Sequence, residues 1–147
     1  MTKTQIDFCR RTTQSIYDLP IAKIFRVPVN LKEVPNYKEK VKKPMDLGTV
    51  LSRIEAEHYK NVEQWKNDMK LIWENAKEFN PPGSFYNLIA CELKMSFEKQ
   101  VIYIPKNDLE SWQFKVKKQH QKIARLLEVR PKSTKKSKFI LKPPSDF

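Results

Sequence analysis

One side-chain amide stands where it could bind a ligand. Asn80 follows a long amphipathic stretch, and Pro81-Pro82-Gly83 directly after it cannot continue a helix, because proline lacks an N–H and glycine favours turns. Asn80 therefore falls at a helix end, where its NH2 can donate to a carbonyl and its Oδ1 can accept an amide N–H. Asn-Pro is also a common helix stop signal, and the pair alone does not separate the two interpretations.

The segment over residues 20–45 supplies apolar surroundings. Four prolines interrupt it, and neither a helical nor a strand period survives between them. Its apolar side chains are Ile24, Phe25, Val27, Val29, Leu31, Val34 and Tyr37. A loop this long and this apolar is expected to fold back onto the helices rather than to serve as a surface linker.

This loop and Asn80 together predict a mostly hydrophobic pocket with one or two polar groups. Tyr37 adds a hydroxyl that acts directly or through an ordered water. A charged ammonium in such a pocket would lose its hydration without gaining a counter-ion, which costs several kcal/mol or shifts its pKa. A neutral secondary amide on an alkyl stem fits this lining better.

Catalytic and metal-binding patterns are missing from the sequence. His58 and His120 have no Cys, Asp or Glu at the spacing of metal ligands. Gly48 and Gly83 are the only glycines, so there is no Gly-rich phosphate loop, and no Gly-x-Ser-x-Gly motif is present. We therefore predict a binding protein rather than an enzyme, with no cofactor and no metal.

Length and cysteine usage point to an intracellular chain. The 147 residues suit one domain with a real core. Cys9 and Cys91 fall on apolar helix faces and are predicted to be reduced core thiols. No signal peptide precedes the first helix, and no apolar run approaches the roughly 18 residues that span a membrane. We expect a monomer that makes no membrane contact.

Apolar residues recurring every three or four positions predict the helices that position this site. The predicted helices cover residues 3–19, 46–59, 61–79, 85–104 and 108–129. Asp46 and Ser84 are expected to be N-caps, and Asn61-x-x-Gln64 and Asn107-x-x-Glu110 are expected to form capping boxes. No β-alternation is found, so the predicted fold is all-α, a four-helix core with one further C-terminal helix.

The fifth predicted helix has an apolar stripe of its own, made of Leu109, Trp112, Val116, Gln119, Ile123 and Leu126. About three heptads are marginal for a free-standing coiled coil, so we predict packing against the bundle and leave pairing with a partner helix open. From Pro131 onward the sequence indicates a flexible basic tail. The predicted divisions are 1–104, 105–130 and 131–147.

Positive charge is concentrated near the C-terminus. Of the formal net charge of +12, residues 102–147 carry +8, from 12 Lys and Arg against 4 Asp and Glu. This indicates either a solvated face or contact with DNA, a nucleosome or another polyanion. The residues expected at such a contact are Lys115, Lys117, Lys118, Lys122, Arg125, Lys135 and Lys136.

Several short motifs carry a family resemblance across residues 4–104. They are Pro28-Val29, Pro35-Asn36-Tyr37, Lys43-Pro44-Met45-Asp46-Leu47-Gly48-Thr49-Val50, His58-Tyr59, Asn75-Ala76 and Phe79-Asn80-Pro81-Pro82. In this combination the chain resembles a bromodomain, the acetyl-lysine reader. The resemblance implies a left-handed four-helix bundle whose ZA loop (residues 20–45) and BC loop (residues 80–84) frame the pocket.

The resemblance also implies roles for single residues. Asn80 matches the asparagine that hydrogen-bonds the acetyl carbonyl, and Tyr37 matches the tyrosine that reaches the same oxygen through water. Val29 and Val34 match apolar loop positions that line the acetyl-lysine channel, and Phe79 is expected to pack in the pocket wall. Phe25 matches the phenylalanine of the family's Trp-Pro-Phe shelf. Tyr86 falls at the gatekeeper position, where an aromatic side chain narrows one side of the pocket.

Two departures affect affinity and peptide preference. Lys23-Ile24-Phe25 stands where the family often has Trp-Pro-Phe, and Lys38 follows Tyr37 where a second tyrosine is common. The implied function is nuclear recognition of acetylated lysine on histone tails within chromatin and transcription regulation. The alternative is a nucleic-acid or scaffold interaction through the basic C-terminal helix, with a weak or inactive pocket.

Overall fold

A computed structural model of the protein describes residues 1–128. Its helices are α1 (Lys3–Tyr17), a 3-10 helix (Pro20–Phe25), α2 (Tyr37–Lys40), α3 (Leu47–Glu55), α4 (Val62–Phe79), α5 (Phe85–Val101) and α6 (Asp108–Glu128). The described residues contain no strand, so the all-α prediction is confirmed. The tail predicted over residues 131–147 lies outside the described residues.

Helices α1, α3, α4 and α5 pack on one another around a single hydrophobic core. Trp65 and Trp73 are fully buried there. Thr13, also fully buried, accepts a hydrogen bond from Nε1 of Trp65 at 3.0 Å and donates to the carbonyl oxygen of Cys9 at 2.8 Å. The hydroxyl of Thr13 thus links α1 to α4 and has hydrogen-bond partners both as donor and as acceptor.

Helix caps follow local sequence signals, with one exception. Oδ1 of Asp46 accepts the N–H of Thr49 at 2.8 Å, and Oδ1 of Asn107 accepts the N–H of Glu110 at 2.8 Å. Ser84 occupies the N-cap position of α5 but makes no capping bond, and its buried hydroxyl has no partner among the described residues. Ser84 therefore does not stabilise the start of α5 through the capping hydrogen bond that an N-cap serine usually makes.

The two expected capping boxes are shifted by one residue. Asn61 caps α4 as predicted, but Oε1 of Gln64 accepts the N–H of Lys60 at 2.8 Å rather than that of Asn61. The same shift occurs at α6, where Glu110 accepts from Lys106 at 2.6 Å. The longer reach ties the preceding residue to the first turn, so the chain entering each helix is still held.

Three helices end earlier than predicted: α1 at Tyr17, α3 at Glu55 and α5 at Val101. After α1 and α5, the chain tightens into i to i+3 hydrogen bonds, from Leu19 N–H to the Ile16 carbonyl at 3.1 Å and from Ile104 N–H to the Val101 carbonyl at 3.2 Å. Apolar residues continue the stripe through these turns although the α-helix has stopped.

The segment 20–45 folds back onto the bundle, as its composition predicts. The rings of Phe25 and Trp73 meet edge to face at 5.6 Å, and those of Tyr37 and Phe79 lie 5.0 Å apart. Its interior is less irregular than expected, because the 3-10 helix and α2 both lie within it. Helices this short depend on tertiary contacts for their stability. This is why the sequence shows no helical repeat of apolar residues that would have predicted them.

Polar contacts hold both ends of this segment. Nε of Arg26 donates to the carbonyl oxygen of Tyr17 at 2.7 Å, and Nδ2 of Asn75 donates to that of Lys43 at 2.8 Å. The N–H of Gly48 donates to the Arg26 carbonyl at 3.1 Å. A Cβ at Gly48 would lie 2.5 Å from that oxygen, so only glycine allows α3 to approach the loop this closely.

The chain divides into two compact units, one over Met1–Ser111 and one from Trp112 onward. None of the residues of α6 is buried, and the packing of this helix against the bundle stays a prediction. Both cysteines are free, with Cys9 buried and Cys91 half-buried. No described helix is both long enough and apolar enough to cross a membrane.

Candidate functional site

A cavity of about 520 Å³ opens between the segment 20–45, the C-terminal end of α4 and the first turn of α5. All seven residues expected at the ligand site line it: Phe25, Val29, Val34, Tyr37, Phe79, Asn80 and Tyr86. The structure thus brings together side chains that are up to 61 positions apart in the sequence. Their roles in binding stay predictions.

Lining chemistry distinguishes this cavity from others of the same size. A second cavity of about 510 Å³ lies between α4 and α5, but charged side chains border it, among them Glu63, Lys66, Lys70, Lys94 and Glu98. Another, of about 520 Å³, lies beside the N-terminus and the start of α4. Aliphatic and aromatic side chains dominate only the first of these three, and this composition suits an uncharged ligand.

The side chain of Asn80 is oriented by the helix that it ends. Asn80 is the C-cap of α4, and its backbone N–H donates to the Ala76 carbonyl at 3.0 Å. Its side-chain Nδ2 donates to the same oxygen at 2.8 Å. Because that acceptor must face a donor, the amide orientation is determined. The second N–H and Oδ1 have no partner within residues 1–128, so both remain available at the cavity.

Tyr37 is held as a neutral hydroxyl in the cavity wall. Its side chain is only 6% exposed, and burial raises the pKa of its hydroxyl. The N–H of Tyr37 donates to the Val34 carbonyl at 3.1 Å, and the Tyr37 carbonyl accepts from Val41 at 2.8 Å. These bonds position the first turn of α2, so the hydroxyl is available as an uncharged donor or acceptor.

Asn87 was not predicted from the sequence. It is buried, with 8% of its surface exposed, on the face of α5 that otherwise carries apolar residues. Its Nδ2 donates to the backbone carbonyl of Asn80 at 3.4 Å, and Sγ of Cys91 lies 3.9 Å from its Oδ1. The sequence signal that could have identified Asn87 is that a polar residue interrupts the apolar stripe of α5. Asn87 connects α5 to the residue that ends α4.

Six further apolar residues line the cavity, of which the first two were expected only as apolar positions of the loop and the others were missed: Ile24, Val27, Pro28, Met45, Ile72 and Ala76. Two carboxylates complete the wall. Asp46 is buried, and its two oxygens accept from the N–H and the hydroxyl of Thr49 at 2.8 and 2.6 Å. Glu33 is exposed and accepts from Nδ2 of Asn30 at 2.8 Å. Neither is a free carboxylate inside the cavity.

The two departures from the family pattern have visible positions. Ile24, which replaces the proline of the usual shelf, lines the cavity and is 37% exposed, while Phe25 beside it packs on Trp73. The shelf side is therefore still apolar but smaller. Lys38, the second departure, is exposed on α2. On the same helix, Nζ of Lys40 lies 5.5 Å from the ring centre of Phe79, which places a cation at the cavity wall. Tyr86, 48% exposed, borders the cavity from the first turn of α5.

The residues expected at a polyanion contact lie on α6 and beyond it. Five of them are exposed on the helix: Lys115, Lys117, Lys118, Lys122 and Arg125. Lys135 and Lys136 are outside the described residues. No group of His, Cys, Asp or Glu in the described part of the chain is arranged to hold a metal ion.

Comparison with known proteins agrees with this geometry. Residues 9–92 match the Bromodomain family. The chain is 33% identical over 104 residues to Bromodomain-containing factor 1 of Candida albicans, covering 65% of this chain, and 40% identical over 78 residues to Nucleosome-remodeling factor subunit NURF301-like of Caenorhabditis elegans, covering 53%. These matches span only 14% and 4% of the two relatives.

A solved structure gives the same result for the fold. The second bromodomain of Candida albicans Bdf1, bound to an imidazopyridine, superposes with a TM-score of 0.64 at 31% sequence identity. The match covers 68% of this chain and 99% of that one. The resemblance inferred from the sequence motifs is confirmed, and the chain belongs to the bromodomain family of acetyl-lysine-binding modules.

Proposed function

We propose that the cavity bounded by Tyr37 and Asn80 binds the side chain of acetylated lysine. The observation that carries this proposal is that the side-chain amide of Asn80 uses only one of its two N–H groups within the protein. One N–H is committed to Ala76, while the other can donate to an acetyl carbonyl without disturbing the helix end. Tyr37 contributes a neutral hydroxyl to the same oxygen through water.

Acetylation is the feature that the cavity distinguishes. An unmodified lysine would bring an ammonium among apolar side chains, where the carboxylate of Asp46 is already occupied by Thr49. Its hydration would be lost without an adequate counter-ion, at a cost of several kcal/mol. Acetyl-lysine has no charge, and its methyl group and alkyl stem suit the lining provided by Val29 and Val34.

The surroundings of the cavity suit an extended peptide. Exposed apolar side chains border it from the segment 20–45 and from the first turn of α5: Ile24, Val27, Val29 and Tyr86. A cluster of this kind on a protein surface usually marks a binding site. We propose that the peptide is a histone tail and that the protein acts in the nucleus in chromatin regulation, a proposal supported by the relative named as a nucleosome-remodeling subunit.

Charge on the loop beside the cavity affects which peptides are preferred. Lys38, Lys40, Lys42 and Lys43 are exposed in the second half of the segment 20–45, and the acidic residues of the segment are Glu39 among them and Glu33 in the cavity lining. Histone tails are themselves basic, so like charges meet wherever a flanking lysine is unmodified. We expect peptides with a second acetylated lysine near the first to bind more tightly at low salt, because the repulsion is removed.

The test is a calorimetric titration with matched acetylated and unacetylated histone-tail peptides. We expect a Kd of about 10–1000 μM for the acetylated form, since one small side chain is buried, and no measurable binding of the unacetylated form. Asn80→Ala should abolish binding while keeping the circular dichroism spectrum. Glu33→Gln is the control for recognition of a lysine ammonium. Binding that is indifferent to acetylation, or that is lost in Glu33→Gln and kept in Asn80→Ala, would contradict the proposal.

A further inference from the structure

Helix α6 carries two parallel stripes that the acetyl-lysine site does not use. The apolar stripe consists of Leu109, Trp112, Val116, Ile123 and Leu126, with exposures from 46% to 65%. The basic stripe consists of Lys115, Lys118, Lys122 and Arg125, all exposed. Each follows the alternating three- and four-residue spacing of one helix face.

The two stripes are neighbours on the helix surface. At about 100° per residue, the basic stripe borders one edge of the apolar stripe along its length. No acidic residue occurs between Ser111 and Leu127, and the four basic side chains form no ion pair within residues 1–128. The helix therefore presents an apolar seam with uncompensated positive charge along one side.

We propose that this face of α6 binds an acidic amphipathic helix of another protein. Such a partner would bury the apolar stripe in a two-helix seam and place carboxylates against the basic stripe, so both features would be used. Gln119, at the centre of the apolar stripe, would favour one register over others, as a polar residue in a coiled-coil seam does.

A second copy of this chain is a poorer occupant. In an antiparallel pair the two basic edges would face each other, bringing Lys115 and Lys122 against the same lysines of the second copy. In a parallel pair, Lys115 would face His120, and Lys122 would face Leu127. Neither arrangement supplies a carboxylate, so charge works against self-association.

Two other partners would use only one of the stripes or fit the charge poorly. A nucleic acid would contact the basic stripe and leave Trp112, Ile123 and Leu126 in water. A membrane surface would accept the apolar stripe, but a helix lying in a membrane interface is usually bordered by cations on both edges. Here the second edge holds Gln113, Lys117 and Ala124, so it carries one cation against the four of the basic stripe. An acidic amphipathic helix would contact both the apolar stripe and the basic stripe.

The experiment titrates the full chain with two synthetic helices of four heptads. Both have the same apolar seam, and they differ only in carrying Glu or Lys at the positions that flank it. We expect the Glu helix to bind at least about tenfold more tightly than the Lys helix, with an affinity that falls as salt rises. Duplex DNA, phosphatidylserine vesicles and sedimentation equilibrium of the chain alone test the other occupants.

Variants separate the two stripes. The double substitution Lys115→Glu and Lys122→Glu should reverse the preference, so that the Lys helix binds more tightly. Ile123→Asp should abolish binding of both helices. Gln121→Glu, on the side of the helix opposite the apolar stripe, and Asn80→Ala, in the cavity, are controls that should leave binding unchanged. Circular dichroism checks that each variant is folded.

Four results would overturn the proposal. One is failure of the Glu helix to bind, and another is equal binding of the Glu and Lys helices. The third is tighter binding of DNA that Ile123→Asp leaves intact, which would assign the face to a nucleic acid. The fourth is a stable dimer or vesicle binding that Ile123→Asp removes, which would assign it to a second copy or to a lipid surface.

Discussion

Nδ2 of Asn80 donates to the carbonyl oxygen of Ala76 at 2.8 Å, so the side chain expected to hold the ligand is itself held by the helix it terminates. The same oxygen accepts the backbone N–H of Asn80 at 3.0 Å. After this contact an amide still has a second N–H to donate, whereas a serine or threonine hydroxyl would have used its only O–H and would keep acceptor lone pairs alone. Asparagine can therefore close the helix and bind a ligand at once.

Asn80→Asp should damage both functions of this residue. A carboxylate has no N–H to donate to the Ala76 carbonyl, and its negative charge lies at the C-terminal end of α4, where the helix dipole disfavours it. We expect the free energy of unfolding to fall by about 1–3 kcal/mol and acetyl-lysine binding to be lost. Urea denaturation measures the first effect and calorimetry the second. An Asp variant that still binds acetylated peptide would contradict this role of the amide.

Tyr37→Phe should separate the hydroxyl of Tyr37 from its ring. The ring contact with Phe79 at 5.0 Å is kept, so stability should change little, whereas affinity for an acetylated peptide should fall about 2- to 10-fold, corresponding to one hydrogen bond. Because burial raises the pKa of the hydroxyl above its usual value, it stays protonated as pH rises. Affinity should therefore be flat from about pH 6 to about pH 9. A drop in affinity centred within that range would show that another group titrates in the site.

The two core tryptophans should respond differently to the same substitution. Nε1 of Trp65 donates to Thr13 at 3.0 Å, whereas Nε1 of Trp73 is buried with no partner among the described residues. Both Trp→Phe changes remove similar volume, but only Trp65→Phe loses a hydrogen bond. We expect Trp65→Phe to be the more destabilising by about 1–3 kcal/mol in urea unfolding. Equal losses would indicate that water or a rearrangement satisfies Trp73.

Cys9 should make the fold sensitive to alkaline pH. Burial raises the pKa of its thiol from 9.0 to about 12. Above pH 9 the unfolded chain loses this proton while the folded chain keeps it, so unfolding becomes more favourable as pH rises from about 9 towards 12. Cys9→Ala should remove that part of the pH dependence. A thiol reagent at neutral pH should modify the half-buried Cys91 first, and rapid modification of both would show that Cys9 is accessible in the native state.

Structural features that depend only on residues close together in the sequence could be predicted from it. Asp46 and Thr49 lie within one turn, so the cap needed no knowledge of the rest of the chain. The cavity residues were expected from the family resemblance that the sequence motifs carry. Tertiary contacts were harder to foresee, because the bond from Asn87 to the Asn80 carbonyl depends on the angle at which α5 leaves the Pro-Pro-Gly turn.

Helix α6 shows a second limit of periodicity. The stripe from Leu109 to Leu126 correctly predicted a helix, but a repeat reports only that one face is apolar and not what covers it. All the apolar side chains of that stripe are exposed, and their packing against the bundle stays a prediction. The basic stripe from Lys115 to Arg125 is the feature that distinguishes the possible partners.

The most direct test of the central claim is an NMR titration that follows the side-chain amide signals of Asn80 as Nε-acetyl-lysine peptide is added. The account predicts that the Asn80 NH2 resonances shift and saturate together with those of the residues lining the cavity. The side-chain amides of Asn61 and Asn67, on the first turns of α4, should not move. Saturating shifts elsewhere in the protein with the Asn80 amide unchanged would contradict the assignment of this cavity as the acetyl-lysine site.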